Sequence, residues 1–363
     1  MSTSSRKRKT PKNHSHQSST QTQDGKVDEM DILLLDIGPL VKGKLMKRPS
    51  ASIKSPYVSD VVLLSETGEE LESVLAHSPA LDVGGLCTPG SIVFMSEREP
   101  GGKTSHSIEL ILAPGPDQSA IDDDDGDPVL IGSHPGLGEK IAEELLKKGL
   151  LKDVIGLDCA TLIPNVKSSS PSKKKQKQGN DENDIDTKLY RQRTYGDSRV
   201  DFEIQSSSGD GSPLRCLIEV KNVVCSDYAE VKAPVKNGPN HCVIIAQNDD
   251  TSPYRRTALF PWGRVGQTFQ GKKVVSERAI KHLRNLTDLG RKCEDTQAVV
   301  LFVINRSDCE SMRPCEEACP VFAQELVSAV SKGCNLVGVR VRWTQEGKAY
   351  FDGIIPVTLP SKS

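Results

Sequence analysis

The segment RVDFEIQSSSGDGSPLRCLIEVKN, residues 199–222, constrains the fold of this chain more than any other. A loop of Ser, Gly, Asp and Pro separates two runs in which apolar residues alternate with others, and this pattern predicts a β-hairpin. Successive side chains of a strand point to opposite faces. One face of the hairpin is then apolar and is formed by Val200, Phe202, Ile204, Cys216, Ile218 and Val220. With the apolar faces aligned, Asp201 faces the same way as Glu219 and Lys221.

The shared face of Asp201, Glu219 and Lys221 suggests a metal site. Cross-strand neighbours lie about 5 Å apart, and two carboxylates at that distance repel unless a cation or a proton lies between them. Mg²⁺ prefers carboxylate and water oxygens, and a lysine beside it positions a water or stabilises charge on a phosphoryl group. Asp201 and Glu219 are therefore the predicted metal ligands. The alternative from the same pattern is an exposed hairpin with an ordinary Lys–Glu pair on its outer face.

The residues before the hairpin predict a small β domain over 31–113. Its short apolar stretches are separated by turn signals and are DILLL, SDVVLL, LESVLAH, GSIVFMS and HSIELILA. Short strands at this spacing are typical of a small antiparallel barrel or sandwich. A helical pattern follows in GSHPGLGEKIAEELLKKGLLKD. Beyond the hairpin, helix patterns in VVSERAIKHLRNLTDLGRKC and CPVFAQELVSAVSKG alternate with strand patterns in QAVVLFVIN and NLVGVRVRW. This alternation predicts a mixed α/β domain over 129–363.

Two segments have too few apolar residues to form a core. Residues 1–28 contain the run RKRK among Ser, Thr, Gln and His, and residues 167–187 join a basic block to an acidic one. Both are predicted to be disordered, the first as a basic tail and the second as a linker within the α/β domain. The RKRK run fits a nuclear localisation signal or a polyanion-binding arm, and a solvated tail is the alternative.

Segments that target or cross membranes are not apparent in the sequence. The N-terminus is polar throughout, and no apolar run approaches the roughly 20 residues that span a bilayer. We therefore expect an intracellular protein without a membrane partner, in the nucleus or the cytoplasm. The basic N-terminal run slightly favours the nucleus.

Several motifs in the same order resemble the sugar fermentation stimulation protein family. SRVDF and IEVKN resemble its paired signatures, VVSERAIKHLRNL its basic helix, and AVVLFVINRSDCESMRP its buried strand and the turn after it. HSPALDVGGLCTPGS resembles the signature of its N-terminal domain. The resemblance covers roughly 35–360 and implies an OB-like N-terminal β-barrel followed by a restriction-endonuclease-like α/β domain of the PD-(D/E)xK type.

The resemblance also implies roles for individual residues. Asp201, Glu219 and Lys221 match the family's catalytic triad, with Mg²⁺ as the cofactor and nucleic acid, most of all DNA, as the partner. Four residues match positions that would contact nucleic acid: Arg199, Arg278, Lys281 and His282. The last three are spaced i, i+3 and i+4, so they share one helix face, which suits phosphate contacts. A solvated helix surface is the alternative.

Three functions remain open from the sequence. The first is Mg²⁺-dependent phosphodiester hydrolysis by a nucleic-acid-binding protein. The second is a non-catalytic DNA-binding regulatory protein that keeps the nuclease-like fold. The third is an interaction protein whose basic tail and linker dock acidic partners. The intact Asp201, Glu219 and Lys221 favour hydrolysis. The segment FPWG, residues 260–263, favours the second function, because the family's F-P-D-A motif has an acid there. A further acidic ligand is expected on the preceding helix, at Glu143 or Glu144.

Overall fold

The computed structural model describes residues 31–80, 83–113, 128–156, 187–196, 198–207, 213–229, 245–246 and 255–360. The predicted tail at 1–28 lies outside these residues, as does the predicted linker at 167–187 except for Thr187.

The described residues form twenty strands, four α-helices and one 3-10 helix, Val83–Gly85. The strands are β1 (Leu33–Asp36), β2 (Val41–Lys47), β3 (Val58–Leu64), β4 (Glu70–His77), β5 (Ile92–Glu97), β6 (His106–Ala113), β7 (Val129–Gly132), β8 (Lys188–Tyr195), β9 (Ser198–Ser207), β10 (Pro213–Val223), β11 (Cys225–Ser226), β12 (Tyr228–Ala229), β13 (Ile245–Ala246), β14 (Thr257–Phe260), β15 (Gln267–Phe269), β16 (Lys272–Val274), β17 (Thr296–Ile304), β18 (Ser311–Pro314), β19 (Asn335–Trp343) and β20 (Lys348–Ile355). The α-helices are α1 (Leu137–Lys147), α2 (Lys152–Ile155), α3 (Glu277–Arg291) and α4 (Pro320–Ser331).

The first sheet is a small barrel. Its six strands lie in the order β4-β3-β2-β5-β6-β7, and β4 also pairs with β6, so that β2 to β6 close into a ring. The ring encloses an apolar core that includes Leu45, Val61, Val93, Met95 and Ile108. The predicted N-terminal β-barrel is therefore confirmed.

The second sheet is mixed and carries the predicted hairpin. Its seven strands lie in the order β1-β20-β19-β17-β10-β9-β8. The three central strands β10, β17 and β19 are parallel, and the outer pairs are antiparallel. Central parallel strands are buried on both faces, and all nine residues of β17 but the first two are buried. The predicted mixed α/β fold is confirmed.

Helices cover both faces of this large sheet. The apolar side of α1, which includes Ile141, Leu145 and Leu146, shares one core with the sheet and with barrel residues such as Phe94. Helices α3 and α4 share the second core with the opposite face. Helix α3 begins where the Ser276 hydroxyl accepts a hydrogen bond from the Ala279 amide, a typical N-cap. The helices predicted in 133–153, 274–293 and 319–333 are therefore present.

Two details of the strand pattern differ from the prediction. The DILLL stretch was expected in the barrel, but β1 pairs with β20 in the large sheet. Strand β2 was missed because its sequence VKGKLMK has three lysines and a glycine and lacks a clear alternation. Strand β7 pairs with β6 of the barrel. The domain boundaries at 31–113 and 129–363 stay a prediction.

Candidate metal and nucleic-acid site

The hairpin β9–β10 opens at Asp201. The two strands are paired from Pro213 opposite Ser207 as far as Ile218 opposite Phe202. At the next position the Val220 amide donates to Asp201 Oδ2, at 2.8 Å. A side-chain oxygen thus satisfies a backbone donor where the strand pairing ends, and the Asp201 carboxylate is held beside β10.

The opening changes the predicted facing of Val200. Phe202, Ile204 and Ile218 pack in the core beneath α1, as their alternation predicts. Val200 was expected beside them, but it packs in the other core, with Leu217 and α3. The pairing of β9 with β10 ends at Phe202, whereas β9 stays paired with β8 as far as Ser198.

Glu219 and Lys221 form a hydrogen-bonded group with His282 of α3. The side chains of Glu219 and Lys221 are almost fully buried, and Lys221 Nζ donates to Glu219 Oε1 at 2.6 Å. His282 Nδ1 lies 2.5 Å from the same oxygen. Arg278 Nε donates to His282 Nε2 at 3.3 Å. Because an arginine nitrogen only donates, Nε2 is the acceptor and Nδ1–H donates to Glu219.

The pKa values of the two acids move in opposite directions. Burial raises the pKa of Asp201 to about 6, and the negative charges of Glu219 and Glu139 act in the same direction. Burial also opposes ionisation of Glu219, but the hydrogen bond from His282 and the positive charge of Lys221 outweigh it and lower the pKa of Glu219. Negative charge at Asp201 is thus only partly compensated.

Two site residues were missed by the sequence analysis, Glu139 and Gln192. The Gln192 amide of β8 donates to Glu139 Oε2 of α1 at 3.0 Å and to Asp201 Oδ1 at 3.3 Å. The further acid was expected at Glu143 or Glu144, one turn later on α1. Both of those glutamates form ion pairs with Lys147. Glu139 is the glutamate of α1 that is connected to Asp201 through Gln192. Helical spacing alone could not choose among these glutamates, because the choice depends on how α1 crosses the sheet.

The predicted nucleic-acid contacts fall into two groups. Arg199, Arg278 and His282 line one cavity of about 170 Å³ together with Glu219. Lys281 lies on the same helix but forms an ion pair with Glu277 at 2.7 Å and does not line this cavity. Arg199 and Arg278 are exposed, so their charges are available beside the acids. His282 is instead engaged with Glu219.

The oxygen donors suit a hard divalent cation that is shared with a substrate. Asp201, Glu219 and Glu139 supply carboxylate oxygens. The raised pKa of Asp201 reflects its burial first and then the negative charges of Glu219 and Glu139, which a cation would offset. Within the described parts of the chain, no three side chains of His, Cys, Asp and Glu meet as a complete metal site. Mg²⁺ is usually bound by one or two carboxylates, and waters and substrate phosphates complete its shell. Asp201 and Glu219 fit that arrangement.

The motifs and this architecture agree with comparisons to known proteins. The sequence profile of the "Sugar fermentation stimulation protein RE domain" matches residues 273–347, which contain α3, β17 and α4. A sugar fermentation stimulation protein homolog from Maricaulis maris is 26% identical over 300 residues, or 82% of this chain and 88% of that protein. A homolog from Cyanothece sp. is 27% identical over 317 residues, or 86% of this chain and 93% of that protein.

The fold is also found in a solved relative. The structure of Pyrococcus furiosus SfsA in complex with Ca²⁺ aligns with a TM-score of 0.55 and 16% identity, and covers 90% of this chain and all of that one. The chain is thus similar to sugar fermentation stimulation proteins in sequence and in fold. None of the helices in the described residues is long and apolar enough to cross a membrane.

Proposed function

We propose that this protein binds nucleic acid, DNA foremost, and hydrolyses phosphodiester bonds with a divalent cation at Asp201 and Glu219. Support comes from the electrostatic interaction of Asp201 with Glu219, from the hydrogen bond of Lys221 to Glu219, and from the cavity that Glu219 lines with the exposed Arg199 and Arg278. The structure of Pyrococcus furiosus SfsA is a complex with Ca²⁺, and this supports a divalent cation in the shared fold.

Each residue has a role that follows from its contacts. Asp201 and Glu219 would hold the cation, Mg²⁺ being the expected one, and a bound cation supplies positive charge next to the phosphoryl oxygens. Lys221 is placed by Glu219 to orient a water and to stabilise the charge that develops on phosphorus oxygens in the transition state. Hydrolysis adds water across one P–O bond, leaving one phosphate end and one hydroxyl end.

His282 has a positioning role in this proposal. Its ring is hydrogen-bonded to Arg278 on one side and to Glu219 on the other. One neutral imidazole therefore links the exposed guanidinium group of Arg278 to the buried carboxylate of Glu219. The sequence assigned His282 to phosphate binding. In the proposed role it orients Glu219, while Arg199, Arg278 and Lys281 contact phosphates.

A second candidate is binding without cleavage. It is favoured by the contacts of Glu219, because Oε1 already accepts from both Lys221 and His282. A non-catalytic DNA-binding regulatory protein could keep this group as a structural element.

Cleavage assays separate the two candidates. The full chain would be incubated with single- and double-stranded DNA and RNA in Mg²⁺, Mn²⁺ or EDTA, beside Asp201→Asn, Glu219→Gln and Lys221→Met. We expect cation-dependent cleavage that each variant lowers by at least roughly 100-fold. Glu310→Gln, which changes an exposed acid in an ion pair with Arg255, should cleave as the wild type does. Equal activity in all of these proteins would refute the catalytic assignment.

DNA binding is tested separately, in EDTA. The affinity of the wild type should fall steeply with salt, and Arg199→Ala and Arg278→Ala should each weaken binding and reduce the salt slope by about 1. Lys348→Ala is the control, because β20 is separated from β10 by two strands of the large sheet. Binding with this pattern but no cleavage in any cation would support the second candidate, and no binding at all would refute both.

A further inference from the structure

Gln192 has an unusual backbone conformation in the middle of a strand. Its φ is +52°, in the left-handed region that favours glycine. Its neighbours on β8 are paired regularly with β9, Arg191 opposite Phe202 and Arg193 opposite Val200. A non-glycine residue that keeps a costly conformation inside a regular strand is a candidate for a functional role.

The side chain of Gln192 connects two acids from different elements. Nε2 donates to Glu139 Oε2 of α1 at 3.0 Å and to Asp201 Oδ1 of β9 at 3.3 Å. One NH₂ group thus donates one hydrogen bond to each of two carboxylates that repel each other.

The other end of the same amide has no partner. Gln192 Oε1 is buried and accepts no hydrogen bond. A buried carbonyl oxygen without a donor is unfavourable, and such an oxygen is also a ligand that hard cations accept. Rotation about the last side-chain bond exchanges the two ends of the amide and turns Oε1 toward the acids.

We propose that Gln192 is a positioning residue for Glu139 and Asp201 and a neutral oxygen ligand of the cation that Asp201 holds together with Glu219. The inference rests on the proposed function, because it requires a cation at this site. Without the cation, the amide nitrogen joins the two carboxylates. With the cation, the amide oxygen binds it. A glutamine serves both states, whereas a leucine serves neither and a glutamate would add a further negative charge beside Glu139 and Asp201 in the cation-free site.

The test is Ca²⁺ binding by calorimetry, with the full chain and no substrate. We expect Gln192→Leu to weaken Ca²⁺ binding about 10-fold or more, in the range seen when residues that orient metal ligands are removed. Gln192→Glu should bind Ca²⁺ more tightly than the wild type, because a carboxylate replaces the amide. The matched control is Gln205→Leu, which removes an amide–carboxylate bond to Glu203, also on β9. Gln205→Leu should bind Ca²⁺ as the wild type does.

Thermal unfolding with and without Ca²⁺ separates the proposed ligand role of Gln192 from a purely structural role. Gln192→Gly removes the side chain but suits the left-handed backbone. In EDTA it should melt at or above the wild-type temperature, yet Ca²⁺ should raise its melting temperature less than it raises that of the wild type.

The outcomes distinguish this inference from the proposed function. Wild-type Ca²⁺ affinity in both Gln192→Leu and Gln192→Gly would overturn the inference and leave the proposed cation site standing. No Ca²⁺ binding by the wild type would overturn both. Weakened binding in Gln192→Leu with unchanged binding in Gln205→Leu supports the inference.

Discussion

Two buried acid groups in this protein differ in how their charge is compensated. Asp308 lies between two arginines: Arg306 binds both of its oxygens, at 2.6 and 2.7 Å, and Arg256 binds Oδ2. All three side chains are at most 2% exposed. Asp201 is also largely buried, but its nearest charged neighbours include Glu219 and Glu139. We call the first group the Asp308 cluster and the second the Asp201 site.

The pKa values express this difference. Burial opposes ionisation of Asp308, but Arg306 and Arg256 outweigh it and lower the pKa to about 2. At Asp201 burial and like charges act together and raise the pKa to about 6. Removing one partner of a compensated buried group destabilises the fold, whereas an uncompensated buried charge itself costs stability and suits a binding role. We therefore expect the Asp308 cluster to be structural and the Asp201 site to be functional.

The largest expected effect is the loss of Asp308. Asp308→Asn leaves two buried guanidinium groups without their anion, and removing one partner of a buried ion pair typically costs about 3 to 5 kcal/mol of the free energy of unfolding. Urea denaturation at pH 7 measures it. Glu310→Gln, in an exposed pair with Arg255, should change the same quantity by less than about 0.5 kcal/mol. If Asp308→Asn lowered the free energy of unfolding as little as Glu310→Gln does, the Asp308 cluster would have no structural role.

Acid should reveal the same cluster with a somewhat smaller effect. The folded pKa of Asp308, about 2, lies below its unfolded value, so the unfolded state binds more protons between the two values. The contribution to stability, about 2 to 3 kcal/mol, is complete above roughly pH 4 and is lost as the pH falls through the folded pKa. Unfolding free energies of the wild type from pH 5 to pH 2 should decline more steeply than those of Asp308→Asn. Parallel curves would contradict the prediction.

The smallest expected effect is the replacement of Asp201. Asp201→Asn removes one negative charge from beside Glu219, and its side-chain oxygen still accepts from the Val220 amide. We expect the free energy of unfolding in EDTA to stay the same or to rise by about 1 kcal/mol. The same urea measurement tests this. If Asp201→Asn lowered the free energy of unfolding as much as Asp308→Asn does, the Asp201 site would also be structural, and the expected difference between the two groups would be refuted.

Much of the fold could be predicted because it depends on local periodicity. The alternation in 199–222 predicted the hairpin, and the apolar run QAVVLFVIN predicted a buried strand that is found at β17. Amphipathic spacing predicted α1, α3 and α4. Strand β2 was missed because its three lysines hide the pattern, although Gly43 and Leu45 face the barrel interior.

The candidate site was predicted less completely than the fold. Asp201, Glu219 and Lys221 were found because they belong to one hairpin and a recognisable motif. Glu139, Gln192 and the partnership of His282 with Glu219 were missed, since these residues are far apart in the chain and meet only when α1, β8 and α3 pack on the sheet. The Asp308 cluster was missed for the same reason, with Arg256 52 residues from Asp308.

The sequence by itself determined the hairpin, the buried strand β17, the helices α1, α3 and α4, the plan of a barrel and a mixed α/β sheet, and the three residues of the hairpin motif. Only the tertiary structure decided which charges meet: Asp308 with two arginines, and Asp201 with two further acids and the amide of Gln192. The physical reason is that apolar periodicity acts over neighbouring residues. Electrostatic compensation instead depends on distances of a few ångströms between side chains from separate elements.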